Sequence, residues 1–305
     1  MRDRLHVQAP SKLNLTLSVG GPDADRMHPI AGCMTTVDLF DDLELVRLPI
    51  GHPSRYAIIW HDEARRRSDI DWSISKDLAA NAHRLLEQAV GRGLSLQAKI
   101  EKRIPVGGGL GGGSADAAAM LHGANRLFDL GLSTDELAEI SRPLGSDVPF
   151  LVHGGAAIVS GLGETIEAVP MPEGLHPVLV FPTTMCPTGP VYGRLDELRP
   201  EATVREADVR RVLDGPVAAD ALFNDLAEPA FDLHPALAED ARRVAETAEL
   251  PVHVSGSGST LFVLAAGPLE ADLLATAIET GTGIPAVATA TCDGVRVGEV
   301  ERIPG

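Results

Sequence analysis

The chain has 305 residues, 44% hydrophobic and 23% charged, with a formal net charge of −17, which is enough for one or two domains around a sizeable core. That charge excludes a broad nucleic-acid surface or adhesion to an anionic membrane, because phosphate-rich partners need basic patches. Three cysteines, Cys33, Cys186 and Cys292, are too few for a disulfide framework, and with no signal-peptide pattern and no apolar run of bilayer length the expected setting is the cytosol.

In chain order, residues 7–19, 38–46, 56–60 and 94–102 read as strands, and 75–88 and 114–129 as helices. Ser133-Thr134-Asp135-Glu136 supplies a capping pattern for a helix over 134–143. A strand resumes at 156–160. A stretch rich in proline and glycine between Pro170 and Pro190 reads as a boundary region. Helices follow near 204–213, 219–227 and 237–248, with strands near Val252 and Leu261. No internal repeat is visible, and the pattern is α+β with two lobes. Residues 51–75, with Arg65-Arg66-Arg67, read as a solvated excursion or as a basic site for an acidic partner.

Between the strand at 94–102 and the helix at 114–129 lies Pro105-Val106-Gly107-Gly108-Gly109-Leu110-Gly111-Gly112-Gly113-Ser114-Ala115-Asp116. Each glycine costs backbone entropy, so six in seven positions need a backbone reason rather than a packing one. Strand, glycine loop and helix N-terminus together expose free N–H groups to one place, which makes an anion cradle. Ser114 reads as the helix N-cap, and Asp116 as a first-turn acid that suits the helix dipole. A Walker loop would need a lysine after the last glycine, and none is present. Gly107, Gly109 and Gly112 satisfy a dinucleotide-binding spacing, but no acidic residue ends a second strand at the required distance. A flexible linker is the plain alternative, though linkers are not flanked by a strand and an amphipathic helix. No Cys-x-x-Cys pair or His-Glu-x-x-His helix is present, so no protein-held metal site is expected; Mg²⁺ would arrive with a nucleotide.

The loop resembles the second motif of the GHMP kinases, the superfamily of galactokinase, homoserine kinase and mevalonate kinase. Ala9-Pro10-Ser11-Lys12-Leu13-Asn14-Leu15 resembles the first motif, and Val254-Ser255-Gly256-Ser257-Gly258-Ser259 the third. Leu144-Gly145-Ser146-Asp147-Val148-Pro149 and Asn224-Asp225-Leu226 point to one branch of that superfamily. The resemblance implies a lobe like ribosomal protein S5 over 1–165 and a ferredoxin-like lobe over 166–305, with the active site between them. It implies an ATP-dependent small-molecule kinase, with ATP and Mg²⁺, acting on the 2-hydroxyl of a cytidyl-diphosphate methylerythritol in the non-mevalonate isoprenoid route. Two alternatives are a GHMP-type kinase for another small alcohol and a nucleotide-binding regulatory module without catalysis. The oligomeric state, monomer or homodimer, stays open.

The same resemblance assigns roles residue by residue. Asp147 is the base or hydroxyl-orienting residue, against the plain reading of an Asx-type turn cap. Lys12 offsets the charge of the developing alkoxide; strand alternation puts it with Asn14 and Thr16 on the face opposite Leu13, Leu15 and Leu17, and the plain reading is a solvated face. Asn14 would hydrogen-bond the acceptor. Lys102 matches a position near the adenine nucleotide, or is a solubilising charge ending a strand. Ser114 would donate from the helix terminus and contact Mg²⁺. Gly256, Ser257 and Gly258 would let backbone approach phosphates, where a hairpin turn is the bland alternative. In the acceptor pocket Met27 and His28 stand where relatives carry a stacking tyrosine and a base-reading histidine, Tyr192 takes the second stacking position, and Asp77 replaces an asparagine near the adenine. Met27 is therefore the chief departure from the family pattern.

Overall fold

A computed structural model of the chain describes residues 2–303. Among them the strands are β1 (Arg2–Val19), β2 (Ile30–Arg47), β3 (Arg55–Trp60), β4 (Leu96–Lys102), β5 (Ala156–Gly161), β6 (Thr165–Val169), β7 (Pro177–Val180), β8 (Phe223–Asn224), β9 (His253–Val254), β10 (Leu261–Leu264), β11 (Ala286–Ala288), β12 (Arg296–Val297) and β13 (Glu301–Ile303). The α-helices are α1 (Leu78–Val90), α2 (Gly112–Leu127), α3 (Thr134–Ser141), α4 (Asp147–His153), α5 (Thr188–Leu198), α6 (Glu206–Arg210), α7 (Ala227–Leu233), α8 (Pro235–Ala248) and α9 (Pro268–Thr282). One sheet follows the path β12-β1-β2-β4-β3, with β5 and β6 continuing from β2 and with β8 and β13 on β1. The second sheet is antiparallel, in the order β11-β7-β10-β9. Strands beyond residue 166 therefore serve both sheets. No helix among the described residues is long and apolar enough to cross a membrane.

β1 links the two cores. Leu5, Val7, Leu13 and Leu15 pack into the first, under α1 and α2, while Leu17 and Val19 enter the second with Val178, Leu261 and Ile278. Each such leucine taken fully from water contributes about 1.5–3 kcal/mol. The α2 segment carries Ala115, Ala117, Ala118 and Ala119, all fully buried, and a Cβ on Gly123 would stand 2.8 Å from Val7 Cγ2. Small residues thus let α2 lie close on β1, which holds the glycine loop at its N-terminus over the middle of that strand. Register shifts in the β1–β2 ladder flank Lys12–Asn14 on both sides, between Pro10 and Ser11 and between Asn14 and Thr16. Such irregularities re-aim side chains beside sites.

Several elements differ from the sequence expectation. β2 begins at Ile30 rather than 38, because 31–37 is buried on both faces and carries no alternation. The expected boundary region holds β7, whose Val178, Leu179 and Val180 are fully buried in the second sheet. The expected helix over 219–227 breaks into a 3-10 turn, β8 and the start of α7. Tertiary bonds override propensity there: Asn224 Nδ2 donates to the Val254 and Gly256 carbonyls, and Asp225 accepts from Ser18 Oγ and Val19 N–H. The Ser133–Glu136 capping box forms as expected at α3. All three cysteines are free and buried. The arginines of the excursion after β3 are not wholly solvated: Arg65 pairs with Glu279 at 2.8 Å, and Arg66 reaches Ser259 Oγ at 3.1 Å and the Thr183 and Thr184 carbonyls.

His253 on β9 packs against Phe262 with ring centroids 5.2 Å apart, and its Nε2 is buried without a hydrogen-bond partner. Burial pushes its imidazole down to about 4. The folded protein therefore holds a neutral ring, while the unfolded chain takes up a proton below about 6.5. This contribution to stability is complete above that value and is lost as pH falls towards 4, at up to about 1.4 kcal/mol per pH unit. Urea titrations between pH 7 and pH 4.5 should show that slope in the wild type and a shallower one in His253→Asn; equal slopes would remove His253 as the cause.

Candidate active site

The glycine loop does two jobs. Gly109, at φ 77°, leaves no room for a side chain because its Cβ would strike the Ser255 carbonyl. A Cβ on Gly108 would lie 2.9 Å from Thr260 Oγ1, and one on Gly112 2.9 Å from Ile104 Cγ2. Much of the glycine density is thus a packing requirement after all, imposed by the 255–260 loop and β4's end. Gly113 has only Leu78 nearby, at 3.5 Å, and it is here that the loop opens to a cavity.

α2 starts at Gly112, two residues before Ser114, and its N-cap is Gly111 at φ 69°. Ser114 is therefore inside the first turn rather than capping it. The first intrahelical bond runs from Ala115 N–H to the Gly111 carbonyl, so the N–H groups of Gly112, Gly113 and Ser114 precede it and point out of the helix end. Pro105, Val106, Gly107, Gly108, Gly109, Gly111, Gly112, Gly113 and Ser114 line a cavity of about 490 Å³ with Lys102. Leu110 and Ala115 lie buried behind it. Trp72, Lys76 and Asp77 complete its wall. Asp77 caps α1 by accepting from Ala80 N–H, and takes a further bond from Trp72 Nε1 at 3.1 Å.

Lys102 is buried and bridges two carboxylates, Asp41 and Asp116, each at 2.5 Å. Burial alone would lower its ammonium; the flanking charges of Asp116 and Asp41 outweigh this and raise it. Asp116 is not a solvated first-turn acid. Its carboxyl is raised well above the ordinary range by burial, with Asp41 adding to the rise and Lys102 opposing it, and its Oδ1 has no hydrogen-bond partner among the described residues. Asp41 also accepts from Ile104 N–H at 2.7 Å, so the triad ties β2, β4 and α2 together beneath the loop.

A second cavity, of about 190 Å³, is lined by Lys12, Asn14, Asp147, Tyr192, Gly256 and Ser257, among others. Lys12 is 5% exposed, which rules out a solvated strand face. Its Nζ lies 3.7 Å from Asp147 Oδ2 and donates to Asn14 Oδ1. Asp147 is the first residue of α4, with its carboxylate about one-third exposed towards the cavity. Gly256, at φ 58°, sits over this group, where a Cβ would come within 3.4 Å of Lys12 Nζ. Gly258 packs instead against Cys186 and Val254. Met27 is 50% exposed. His28 contacts Tyr192, ring centroids 4.9 Å apart.

Gly109, Gly111 and Thr188 line both cavities, so the two chambers adjoin at the glycine loop. Thr188, Trp72, Lys76 and Asp41 were not singled out by sequence reasoning; they act through contacts between distant segments, and no local motif marks them.

Residues 77–155 match the family model described as the GHMP kinases N terminal domain. The chain is 39% identical over 265 residues to the 4-diphosphocytidyl-2-C-methyl-D-erythritol kinase of Bacillus cereus strain B4264, covering 86% of this chain and 88% of that protein. The protein of the same name from Bacillus thuringiensis strain Al Hakam is 39% identical over 267 residues, with the same coverage. A crystal structure of 4-(cytidine 5'-diphospho)-2C-methyl-D-erythritol kinase superposes with a TM-score of 0.74 at 30% identity, over 96% of this chain and all of that one. The homoserine kinase of Cytophaga hutchinsonii shares the fold, with a TM-score of 0.64 at 16% identity over 96% of this chain and 97% of that one. The two-lobed α+β architecture expected from the motifs is the one these structures share.

Removing the cation of the buried triad leaves Asp41 and Asp116 facing each other. Lys102→Met should cost about 3–5 kcal/mol of unfolding free energy, read from the urea midpoint. A loss below 1 kcal/mol, by the same yardstick of about 3–5 for a broken buried pair, would show that the triad does not hold the loop's base.

Proposed function

The chain belongs to the GHMP kinases and, within them, to the family of 4-diphosphocytidyl-2-C-methyl-D-erythritol kinases, and we propose on that footing that it transfers the γ-phosphate of ATP to the 2-hydroxyl of 4-diphosphocytidyl-2-C-methyl-D-erythritol. The observation that carries this reading is the meeting of two cavities at Gly109 and Gly111, one floored by a helix N-terminus and the other holding a Lys–Asp pair.

Phosphoryl transfer asks the protein mainly for position and charge. The N–H groups of Gly112, Gly113 and Ser114, at the positive end of α2, hold the terminal phosphates of the donor. Asp147 receives the hydroxyl proton or fixes the direction of its lone pair. Lys12, held between Asn14 and Asp147, places its ammonium where the alkoxide charge develops. Asn14 and Gly256 line the chamber that would receive the hydroxyl.

Mg²⁺ travelling with the triphosphate is part of the proposal. The fit rests on Asp116 Oδ1, a hard oxygen buried at the donor cavity without a partner among the described residues, and on Ser114, which lines the same cavity. A dication beside Asp116 would favour its ionised form against the burial that raises its carboxyl, and the chemistry it would supply there is neutralisation of phosphate charge.

A second reading, a GHMP-type kinase for another small alcohol, draws on Met27, which offers half-exposed thioether in place of an aromatic face. A panel of acceptors with coupled ADP detection separates the two. Asp147→Asn should lower kcat by about 10²–10⁴-fold while ATP affinity, measured by titration, stays within about twofold, because Asp147 lies on the acceptor side only. Wild-type turnover in that variant would leave Asp147 a structural residue.

A further inference from the structure

A third cavity, of about 730 Å³, opens between the β2–β3 connection and the turn that leaves α1, a volume within the range of small-molecule sites. α1 is 13 residues long, about 20 Å. Asp77 at its start walls the donor chamber, whereas Arg84, Glu87 and, just past its end, Arg92 line this other cavity, which shares no residue with either chamber of the active site. Its floor is aromatic and apolar, with Tyr56 and Phe128 beside Leu48 and Pro53. The Tyr56 hydroxyl lies 2.6 Å from Nδ1 of the buried His83, whose Nε2 is 2.9 Å from the Leu94 carbonyl. A carbonyl can only accept, so Nε2 carries the ring hydrogen; burial lowers the imidazole and keeps it neutral, which leaves Nδ1 to accept from Tyr56. Burial, with the charge of Glu87 adding to it, pushes the Tyr56 phenol up to about 12. Tyr56 therefore turns its hydrogen inward and meets the cavity as an uncharged aromatic.

In a chain of net charge −17, this cavity sets three guanidiniums, of Arg47, Arg84 and Arg92, against the one carboxylate of Glu87. Glu87 Oε1 is taken by the Leu94 N–H at 2.7 Å. Arg47 lies over the Phe128 ring, 5.1 Å from its centroid, and has Asp3 at 3.8 Å. Arg84 donates only to neutral oxygens, those of Ser75, Ala80 and Asn81. Arg92 has no ion pair and no side-chain hydrogen bond among the described residues, and α1 does not need it as a cap, because the Gly91 and Arg92 N–H groups already bond the Gln88 and Glu87 carbonyls. Two guanidiniums beside an aromatic floor thus lack a carboxylate. Their fork fits phosphate, and a phosphate monoester carries about −1.5 to −2 at pH 7, the charge that these two leave uncompensated. We propose that this cavity is a second ligand site, for an organic phosphate monoester whose phosphate is held by Arg84 and Arg92 and whose apolar body lies on Tyr56 and Phe128. The site stands whichever alcohol the protein phosphorylates.

Phenyl phosphate is the probe, titrated by calorimetry into the full-length protein saturated with a β,γ-imido analogue of ATP, which fills the donor chamber. One equivalent should bind with a Kd below about 1 mM. Inorganic phosphate, without the apolar body, and benzoate, without the second charge, should each bind about tenfold more weakly. Arg84 and Arg92 are exposed, so replacing either leaves the fold intact. Arg84→Gln and Arg92→Gln should each weaken phenyl phosphate by about 10- to 150-fold, the range for a hydrogen bond to a charged group, with kcat and the ATP KM within about twofold of the wild type. No binding by the wild type, undiminished affinity in both variants, a probe that the ATP analogue displaces, or equal affinity for phenyl phosphate and inorganic phosphate overturns the proposal.

Discussion

The bond from the Ser255 hydroxyl to the Gly109 carbonyl, 3.0 Å long, joins two loops that lie about half the chain apart. Beside it Thr260 N–H donates to the Gly108 carbonyl at 3.1 Å, and Ser255 Oγ is also 3.4 Å from Asn14 N–H. Three segments are thereby brought to backbone contact: β1, the glycine loop, and the loop between β9 and β10. No side chain can intervene at Gly109, and the dimensions of both cavities follow from that closeness. Lys12 shows the dependence most directly, since its backbone N–H donates to Leu110 at 2.9 Å while Gly111 and Gly256 leave just enough room for its side chain. A loop displaced by the width of a methyl group would separate the donor from the acceptor.

The two buried lysines of the site are distinguished by their neighbours. Lys102 has a carboxylate on each side and its charge is spent within the fold, where it joins β2, β4 and α2. Lys12 faces one carboxylate at 3.7 Å and an amide oxygen, and it fronts a cavity. Its charge is therefore available to a ligand. In a chain with 43 acidic and 26 Lys and Arg residues, attraction of a polyanion depends on such local placement, and the helix end and glycine N–H groups add to it without adding formal charge.

Much of the site was legible in the sequence because its parts are motifs. The glycine run declares itself within a few residues, whereas Lys12 and Asp147 were marked by the family resemblance rather than by local pattern; the structure puts the two within one salt-bridge distance. What was not legible depended on partners far along the chain. The glycines were read as making room for phosphate, whereas Gly108 and Gly109 also make room for the loop at 255–260. Asp116 looked like a helix-dipole acid because its partners Lys102 and Asp41 are known only once strands pair. The first half of β2 and the whole of β7 carry no alternation, being covered on both faces, so periodicity could not mark them. Asn224 and Asp225 stop a helix that propensity alone would extend, by bonding to β1 and the third glycine motif.

The central claim is that the adjoining cavities allow one direct transfer, from the nucleotide held by the loop to the hydroxyl held beside Lys12 and Asp147, with no phosphorylated protein side chain between them. The stereochemical course at phosphorus tests this most directly. With ATP made chiral at the γ-phosphorus by oxygen isotopes, a single in-line displacement inverts the configuration in the product. Inversion is the predicted result; retention would require two displacements and would contradict the account.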